Sequence, residues 1–306
     1  MNQKKTITFY LRSPFRERAE TGGVNFVNRM IAAFASRGFS VEFRGNSDIE
    51  VVQSASNPGY SIFYMEHPFH QRALTMRLAY IYPFWRMEQA GNRWEWEVAK
   101  TTFDAAEINP ARSETFVERW QKRLYGEVFA GALPDEGYVY MPLQGRLLDQ
   151  RSFQTMSPVD MIKATLESDQ QRNVWATLHP KEVYSGEEMA ALEELEKRNA
   201  RLSIVKGETK TLVRNCSYVV AQNSSAVMDG FFHHKPAVLF GKIDFHHIAC
   251  NVHELGVSKA FSKLHDAPPD FDRYLFWFLQ KMSINAGRDD AEEQILKTVQ
   301  RRGWTL

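Results

Sequence analysis

His179, Pro180 and Lys181, with the pair Ser224-Ser225 further along, are the residues of this chain best suited to hold a phosphate. An imidazole can donate a hydrogen bond to a phosphate or leaving-group oxygen near neutral pH. Two serines opening a helix can cap it and also offer hydroxyls and amides to an anion. Both sets stand where β-prone apolar residues give way to polar residues and then to helix formers: NVWATLHPKE over 173–182 and SYVVAQNSSAVMDGFFHHKPAVLFG over 217–241. Ligands of open α/β sheets gather at the carboxyl ends of strands, where loops and helix N-termini aim their N–H groups. Taken singly, His179 reads as a loop histidine and Ser224 as a helix cap. On successive strand ends they read as two halves of one phosphate site.

The elements that must position these residues alternate. KTITFYL (5–11) reads as a strand, and Thr21-Gly22-Gly23 supplies a glycine-bearing turn after it that lets backbone approach a ligand. NFVNRMIAAFASRG (25–38) has apolar residues at helical spacing and ends at Gly38, and FSVEFRG (39–45) gives the next strand. SIFYMEHPF (61–69) reads as a strand running into a polar loop. The aromatic-dense stretch 80–96 suits either a sugar-binding face or, more commonly, a clustered core. Residues 112–130 form an amphipathic helix, and GALPDEG marks a turn-rich boundary, placing a domain border near residue 133. From 134 to 306 strand–helix units repeat: GYVYMPL, SPVDMIKATLE, NVWATLH, GEEMAALEELEKRNA, RLSIV, ETKTLVRNC, SYVVAQ, SSAVMDGFFHH and PAVLF. Helices of this length between strands call for a parallel sheet with right-handed crossovers. The tail, 270–306, reads as a terminal helix crossing back over both domains.

Bulk properties narrow the function classes. The 306 residues suit two modest α/β domains. Thirty-eight basic against 37 acidic residues leave a formal charge of +1, which argues against nucleic acid as a partner. The opening MNQKKTITFYLRSPF has only a short apolar run, unlike a signal peptide, and no stretch approaches the roughly 18 apolar residues of a membrane span. Cys216 and Cys250 form no disulfide pattern. A cytoplasmic protein is the default, with peripheral contact with the inner membrane or an export machinery left open. The pairs His233-His234 and His246-His247 lack the spacing of a zinc motif, so no metal and no cofactor are expected.

Three segments carry a family resemblance: MPLQGRLLDQRSF (141–153), LHPKE (178–182) and QNSSAVMDGFFHHKPAVLFGKIDF (222–245). In order and spacing the region from about Tyr138 to Gly256 resembles the capsule polysaccharide biosynthesis family, which includes β-Kdo transferases. Its HP and Ser-Ser elements are similar to those of bacterial sialyltransferases, which also use CMP-activated sugar acids. The resemblance implies a GT-B-like α/β fold: two Rossmann-like domains with parallel sheets facing a cleft, residues 1–133 on the acceptor side and 134–306 binding the donor. It implies transfer of a sugar acid, Kdo foremost, from a CMP-activated donor to a glycan or glycolipid acceptor, without metal. His179, Pro180, Lys181, Ser224, Ser225 and Gln144 would then bind the donor nucleotide and its phosphate, His179 also stabilising the departing CMP. Lys235 could add charge nearby.

Asp149, in the same PLQ…D segment, would be the catalytic carboxylate. It would act as base in an inverting reaction or as nucleophile in a retaining one, the second being favoured if donor and product are both β-linked. Glu66, beside His67, is a second base candidate from the acceptor side, where Gly22 and Gly23 would also lie. Two other readings stay open: an enzyme resembling a UDP-sugar 2-epimerase, and a non-catalytic module of polysaccharide export or assembly.

Overall fold

The computed structural model describes residues 5–126 and 134–306. The chain divides into two compact units, Met1–Thr101 with Trp277–Leu306, and Thr102–Phe276. The border placed near residue 133 from sequence lies outside the described residues.

Unit 1 opens with β1 (Thr6–Tyr10), α1 (Phe15–Glu20), α2 (Asn25–Ala35), β2 (Ser40–Arg44), α3 (Asp48–Ser54), β3 (Tyr60–Tyr64), β4 (Ala73–Leu78), β5 (Phe84–Glu88) and α4 (Glu97–Lys100). Unit 2 follows with α5 (Pro110–Tyr125), β6 (Tyr138–Pro142), α6 (Pro158–Ser168), β7 (Asn173–Thr177), α7 (Gly186–Arg198), β8 (Leu202–Ile204), α8 (Thr209–Asn215) and β9 (Tyr218–Ala221). It continues through α9 (Ala226–Phe232), β10 (Ala237–Leu239), β11 (Cys250–Asn251), α10 (Val252–Leu255), α11 (Val257–Ser262) and α12 (Phe271–Phe276). The chain then returns to unit 1 as β12 (Ile284–Asn285) and α13 (Ala291–Arg301).

The sheet of unit 1 runs β12-β5-β4-β3-β1-β2. β2, β1, β3 and β4 are parallel neighbours, while β5 and β12 add antiparallel strands at one edge. β1 is paired on both sides, between β3 and β2, and Ile7, Phe9 and Tyr10 lie fully buried. Phe26, Val27, Met30, Ala33 and Phe34 recur at helical spacing along α2 and bury one stripe of it in the same core. The C-terminal segment closes this core: Ile295 and Val299 of α13 join it, and Trp304 stacks on Tyr60 with ring centroids 4.3 Å apart. Of the aromatic stretch 80–96, Phe84, Trp85 and Trp96 are core, with Trp85 stacked on Phe26 at 4.9 Å and Trp96 only 2% exposed, while Tyr82 is exposed.

A buried charge network pins the returning segment. Arg302 Nη2 lies 2.6 Å from Glu88 and 2.9 Å from Glu97. Burial pushes the Glu88 carboxyl above its ordinary range, and the facing Arg302 and Arg86 guanidinium groups oppose that shift.

The sheet of unit 2 is wholly parallel, in the order β11-β10-β9-β6-β7-β8. Every residue of β6 and β9 is buried, as expected for central strands covered by helices on both faces. Asn109 caps α5 with Pro110 in its first turn, and Gly126 ends it in the left-handed region. That helix packs against α12, with the Phe116 and Phe276 rings edge to face at 5.4 Å, so it belongs to unit 2 and not to the N-terminal domain drawn from sequence. Residues 127–130, read as the end of that helix, lie outside the described residues. The two units thus each carry a Rossmann-like sheet, a GT-B-like plan. Among the described residues, no helix is long and apolar enough to cross a membrane.

Candidate functional site

In unit 2 the chain steps outward from β6 to β7 and β8 on one side, and from β9 to β10 and β11 on the other. The strand order therefore reverses between β6 and β9, and the carboxyl ends of strands at such a switch point are where open α/β sheets generally bind ligands. Gln144 and Asp149 follow β6, His179 follows β7, and Ser224 and Ser225 follow β9. The topology thus puts the donor-site residues chosen from sequence at one end of one sheet.

The loop after β6 is shaped by a tight turn. Arg146 adopts a φ of 62°, the Asp149 N–H donates to the Arg146 carbonyl, and Arg146 Nε donates to Asp149 Oδ2 at 2.8 Å. Both side chains of this ion pair are more than half exposed. Asp149 therefore doubles as the turn-closing residue.

The His179 loop is held by its own neighbours. The His179 N–H donates to the Tyr184 hydroxyl at 2.8 Å, and the Lys181 N–H donates to His179 Nδ1 at 3.2 Å. A ring whose Nδ1 accepts from backbone carries its proton on Nε2 when neutral, leaving Nε2–H free to donate outward. Pro180 and Lys181 are exposed beside it.

Two glutamates join this loop to the preceding one. Glu182 packs against the backbone of Gly145, where an added Cβ would meet its carboxyl carbon at 2.9 Å. Glu188 forms a capping box with Ser185 at the start of α7, and its other oxygen accepts from the Leu147 N–H. These hydrogen bonds, the Ser185 N–H contributing most, hold the Glu188 carboxyl below the usual range. The pattern S-x-x-E marks the cap, but nothing local signals its reach to Leu147.

After β9, Gln222 is 1% exposed and donates from Nε2 to the Met156 carbonyl at 3.0 Å. Gly241, leaving β10, donates to the Gln222 carbonyl at 2.9 Å in a contact that a side chain would block. The serine pair departs from expectation in detail. Ser225 is the N-cap of α9, yet its side chain makes no cap bond, and it is Ser224 Oγ that accepts from Ala226 N–H at 3.3 Å. The cause is local: Ser225 is already in a helical conformation, so the capping acceptor shifts one residue back.

Lys235 does not join the site. It precedes β10, at the amino end of the sheet, is 6% exposed, and donates to the Pro134 carbonyl at 2.7 Å. The histidine pairs are structural too: burial pulls His233 down to about 4, His234 meets Asp272 at 2.9 Å, and His246 stacks on His247. Among the described residues, no cluster of three His, Cys, Asp or Glu side chains is placed to hold a metal. A concavity of about 860 Å³ also lies at that amino end, bordered by Asp169, Arg172, Tyr218 and Phe261. Asp169 there is fully engaged, accepting from Tyr218 and from the Arg172 guanidinium and N–H.

In unit 1 the strand order changes direction between β1 and β3. Glu66, just past β3, pairs with Arg12, just past β1, at 2.6 Å, so an ion pair bridges that point. His67 Nδ1 accepts from the Gly91 N–H at 3.1 Å. Gly22 and Gly23 do not form the turn after β1. They close α1: Gly22, with φ 77°, donates to the Ala19 carbonyl, and Gly23 to that of Arg18. That bond pair is a Schellman motif, which needs a residue in the left-handed region. Sequence reasoning missed α1 because Pro14 and the charged FRERAE segment carry no apolar stripe.

Among solved structures, the chain is similar to a Thermosulfurimonas dismutans KpsC β-Kdo 2,7-transferase structure, with 11% identity, a TM-score of 0.57, and coverage of 98% of this chain and 100% of that one. A KpsC β-Kdo 2,4-transferase structure from the same organism matches at 8% identity and a TM-score of 0.45, over 89% of this chain and 90% of that one. A UDP-N-acetylglucosamine 2-epimerase structure from Listeria monocytogenes gives 11% and 0.38, over 97% and 96%. No family model and no curated protein matches the sequence. The first likeness establishes the two-unit fold.

Proposed function

We propose that the chain is a glycosyltransferase that moves a sugar acid, Kdo foremost, from a CMP-activated donor to a glycan or glycolipid acceptor of a surface polysaccharide. The observation that carries this reading is the grouping of Gln144 and Asp149, His179, and Ser224 with Ser225 at the carboxyl ends of β6, β7 and β9. A full-length likeness in fold to a KpsC β-Kdo 2,7-transferase structure supports it.

In this reading the Nε2–H of His179 and the serine hydroxyls receive the donor phosphate, and stabilise it as CMP leaves. A departing sugar acid develops oxocarbenium character, which a carboxylate on the other side of the anomeric carbon can capture. Asp149 supplies that carboxylate. Its exposed pair with Arg146 is worth only about 0–1 kcal/mol, so releasing it for reaction costs little. An acceptor hydroxyl that loses its proton to a base then displaces the Asp149 ester, which forms the new glycosidic bond and frees the carboxylate; Glu66 in unit 1 is the base candidate on the acceptor side. The chain's own side chains then carry the reaction without a metal.

The test is a thermal-shift panel with CMP, UDP, GDP and ADP. A native-state ligand at a hundredfold excess over its Kd stabilises by about 2.7 kcal/mol, so CMP alone should raise the melting temperature. Asp149→Asn should abolish transfer with CMP binding retained, and His179→Ala should weaken both. A shift with UDP alone would move the assignment to a UDP-sugar enzyme, and full transfer by both variants would overturn the site.

A further inference from the structure

The turn that follows Asp149 holds a charge with no partner. Arg151 is half-buried, with its guanidinium over the Phe153 ring at 4.8 Å. Its Nε and Nη2 are both covered, and neither has a hydrogen-bond acceptor. These two nitrogens form one edge of the guanidinium, the pair of parallel N–H groups that grips two oxygens of a single carboxylate. Burial lowers the Arg151 pKa, and Arg146 adds to that effect, whereas Glu182 and Asp149 oppose it without bonding to it. Of these carboxylates, Asp149 is engaged by Arg146 and Glu182 lies against Gly145.

The turn itself is rigid. The Arg151 N–H donates to Gln154 Oε1 at 2.7 Å, and the Gln154 N–H returns to the Arg151 carbonyl at 2.9 Å. Gln154, 5% exposed with Nε2 also unpaired, bridges to Gly241, and Thr155 bonds to the Phe240 carbonyl. The turn is thereby fixed to the end of β10, beside Gln222 at the end of β9. An unpaired charge held on a fixed turn, next to the phosphate-binding loops, is a cost to folding that a ligand anion would repay.

We infer that Arg151 takes the carboxylate of the donor's sugar acid, bidentately, through its Nε and Nη2. This rests on the proposed transfer of a sugar acid. Such a donor differs from other nucleotide sugars in that carboxylate, which needs a cation of its own once His179 and the serines hold the phosphate. Rotation of the long Arg151 stem off the Phe153 ring, at the loss of one cation–π contact, presents the edge to the ligand.

The experiment is calorimetric titration of CMP, CMP-Kdo and UDP-N-acetylglucosamine into the wild type, Arg151→Gln and Arg151→Lys. Arg151→Gln should lose about 10- to 100-fold in affinity for CMP-Kdo while keeping that for CMP. Arg151→Lys, which keeps the charge and the stem but loses the two-pronged edge, should fall between and show that the loss is not one of folding. Equal weakening toward CMP and CMP-Kdo would assign Arg151 to the phosphate or to packing, and an unchanged CMP-Kdo affinity would remove it from the site. Either result overturns the inference and leaves the proposed function standing. A wild type that binds neither CMP compound overturns both.

Discussion

Replacing Glu188 by alanine should both destabilise unit 2 and loosen the loops after β6 and β7. One carboxylate oxygen accepts from the Ser185 N–H at 2.8 Å, the other from the Leu147 N–H. The Ser185 hydroxyl still caps the N–H of residue 188, but losing each of these two carboxylate hydrogen bonds costs about 1 kcal/mol. The sum, about 2 kcal/mol, corresponds to a fall of roughly 4–8 °C in melting temperature for a domain of this size. Glu188→Gln keeps one acceptor oxygen and should lose about half as much. The sign with pH is fixed by the depressed carboxyl. Its contribution is complete above the unfolded glutamate value of about 4.3 and disappears as pH falls through the lower folded value, so variant and wild type should converge in strong acid. Because Leu147 lies between Gln144 and Asp149, CMP affinity should fall along with stability. Melting curves at neutral and acid pH, with and without CMP, measure all of this. An alanine variant that melts with the wild type at neutral pH and binds CMP equally well would refute the tie between the loops.

The other predictions concern charge and backbone. Burial alone would raise the Asp169 carboxyl, but hydrogen bonds from the Arg172 and Gln171 N–H groups, Tyr218 and the Arg172 guanidinium hold it at about 2. It should contribute about 2 kcal/mol above pH 4 that drains away between pH 4 and 2, and Asp169→Asn should flatten that part of the acid-unfolding profile. Arg302→Ala strands the buried Glu88 and leaves Glu97 only its longer pair with Arg301, which should cost about 3–5 kcal/mol in denaturant titrations, and a loss below about 1 kcal/mol would show the network to be marginal. Gly22→Ala forces a side chain into φ 77° and should cost about 1–2 kcal/mol in the same measurement, whereas an exposed alanine elsewhere in that loop should be neutral.

Much of the candidate site was legible because its signals are short-range. His179 and Ser224 were found from strands that end at polar residues, and those strands are β7 and β9. Gln144 and Asp149 came instead from the family resemblance of the PLQ…D segment, which follows β6. Glu188 was half legible: Ser185 three residues before it announces the cap, while the bond to Leu147 spans two loops. Arg151 was not legible at all, since a lone arginine in sequence carries no mark of lacking an acceptor. Lys235 misled because proximity in sequence to Ser224 says nothing about strand ends. Helix α9 separates the two and carries Lys235 back to the amino end of the sheet.

What the sequence determined by itself is the series of elements. Apolar periodicity and helix-ending glycines such as Gly38 act within a few residues, so they can be read locally. They are enough to require parallel sheets built from strand–helix units. The tertiary structure alone decided that β9 lies beside β6, which turns three separate loops into one site, and that Trp277–Leu306 closes the core of unit 1. It also decided that Gly22 ends a helix instead of opening a ligand loop. The reason is physical: strand order and the docking of a distant helix are set by which buried faces fit one another across the chain, and burial at that range leaves no pattern in neighbouring residues.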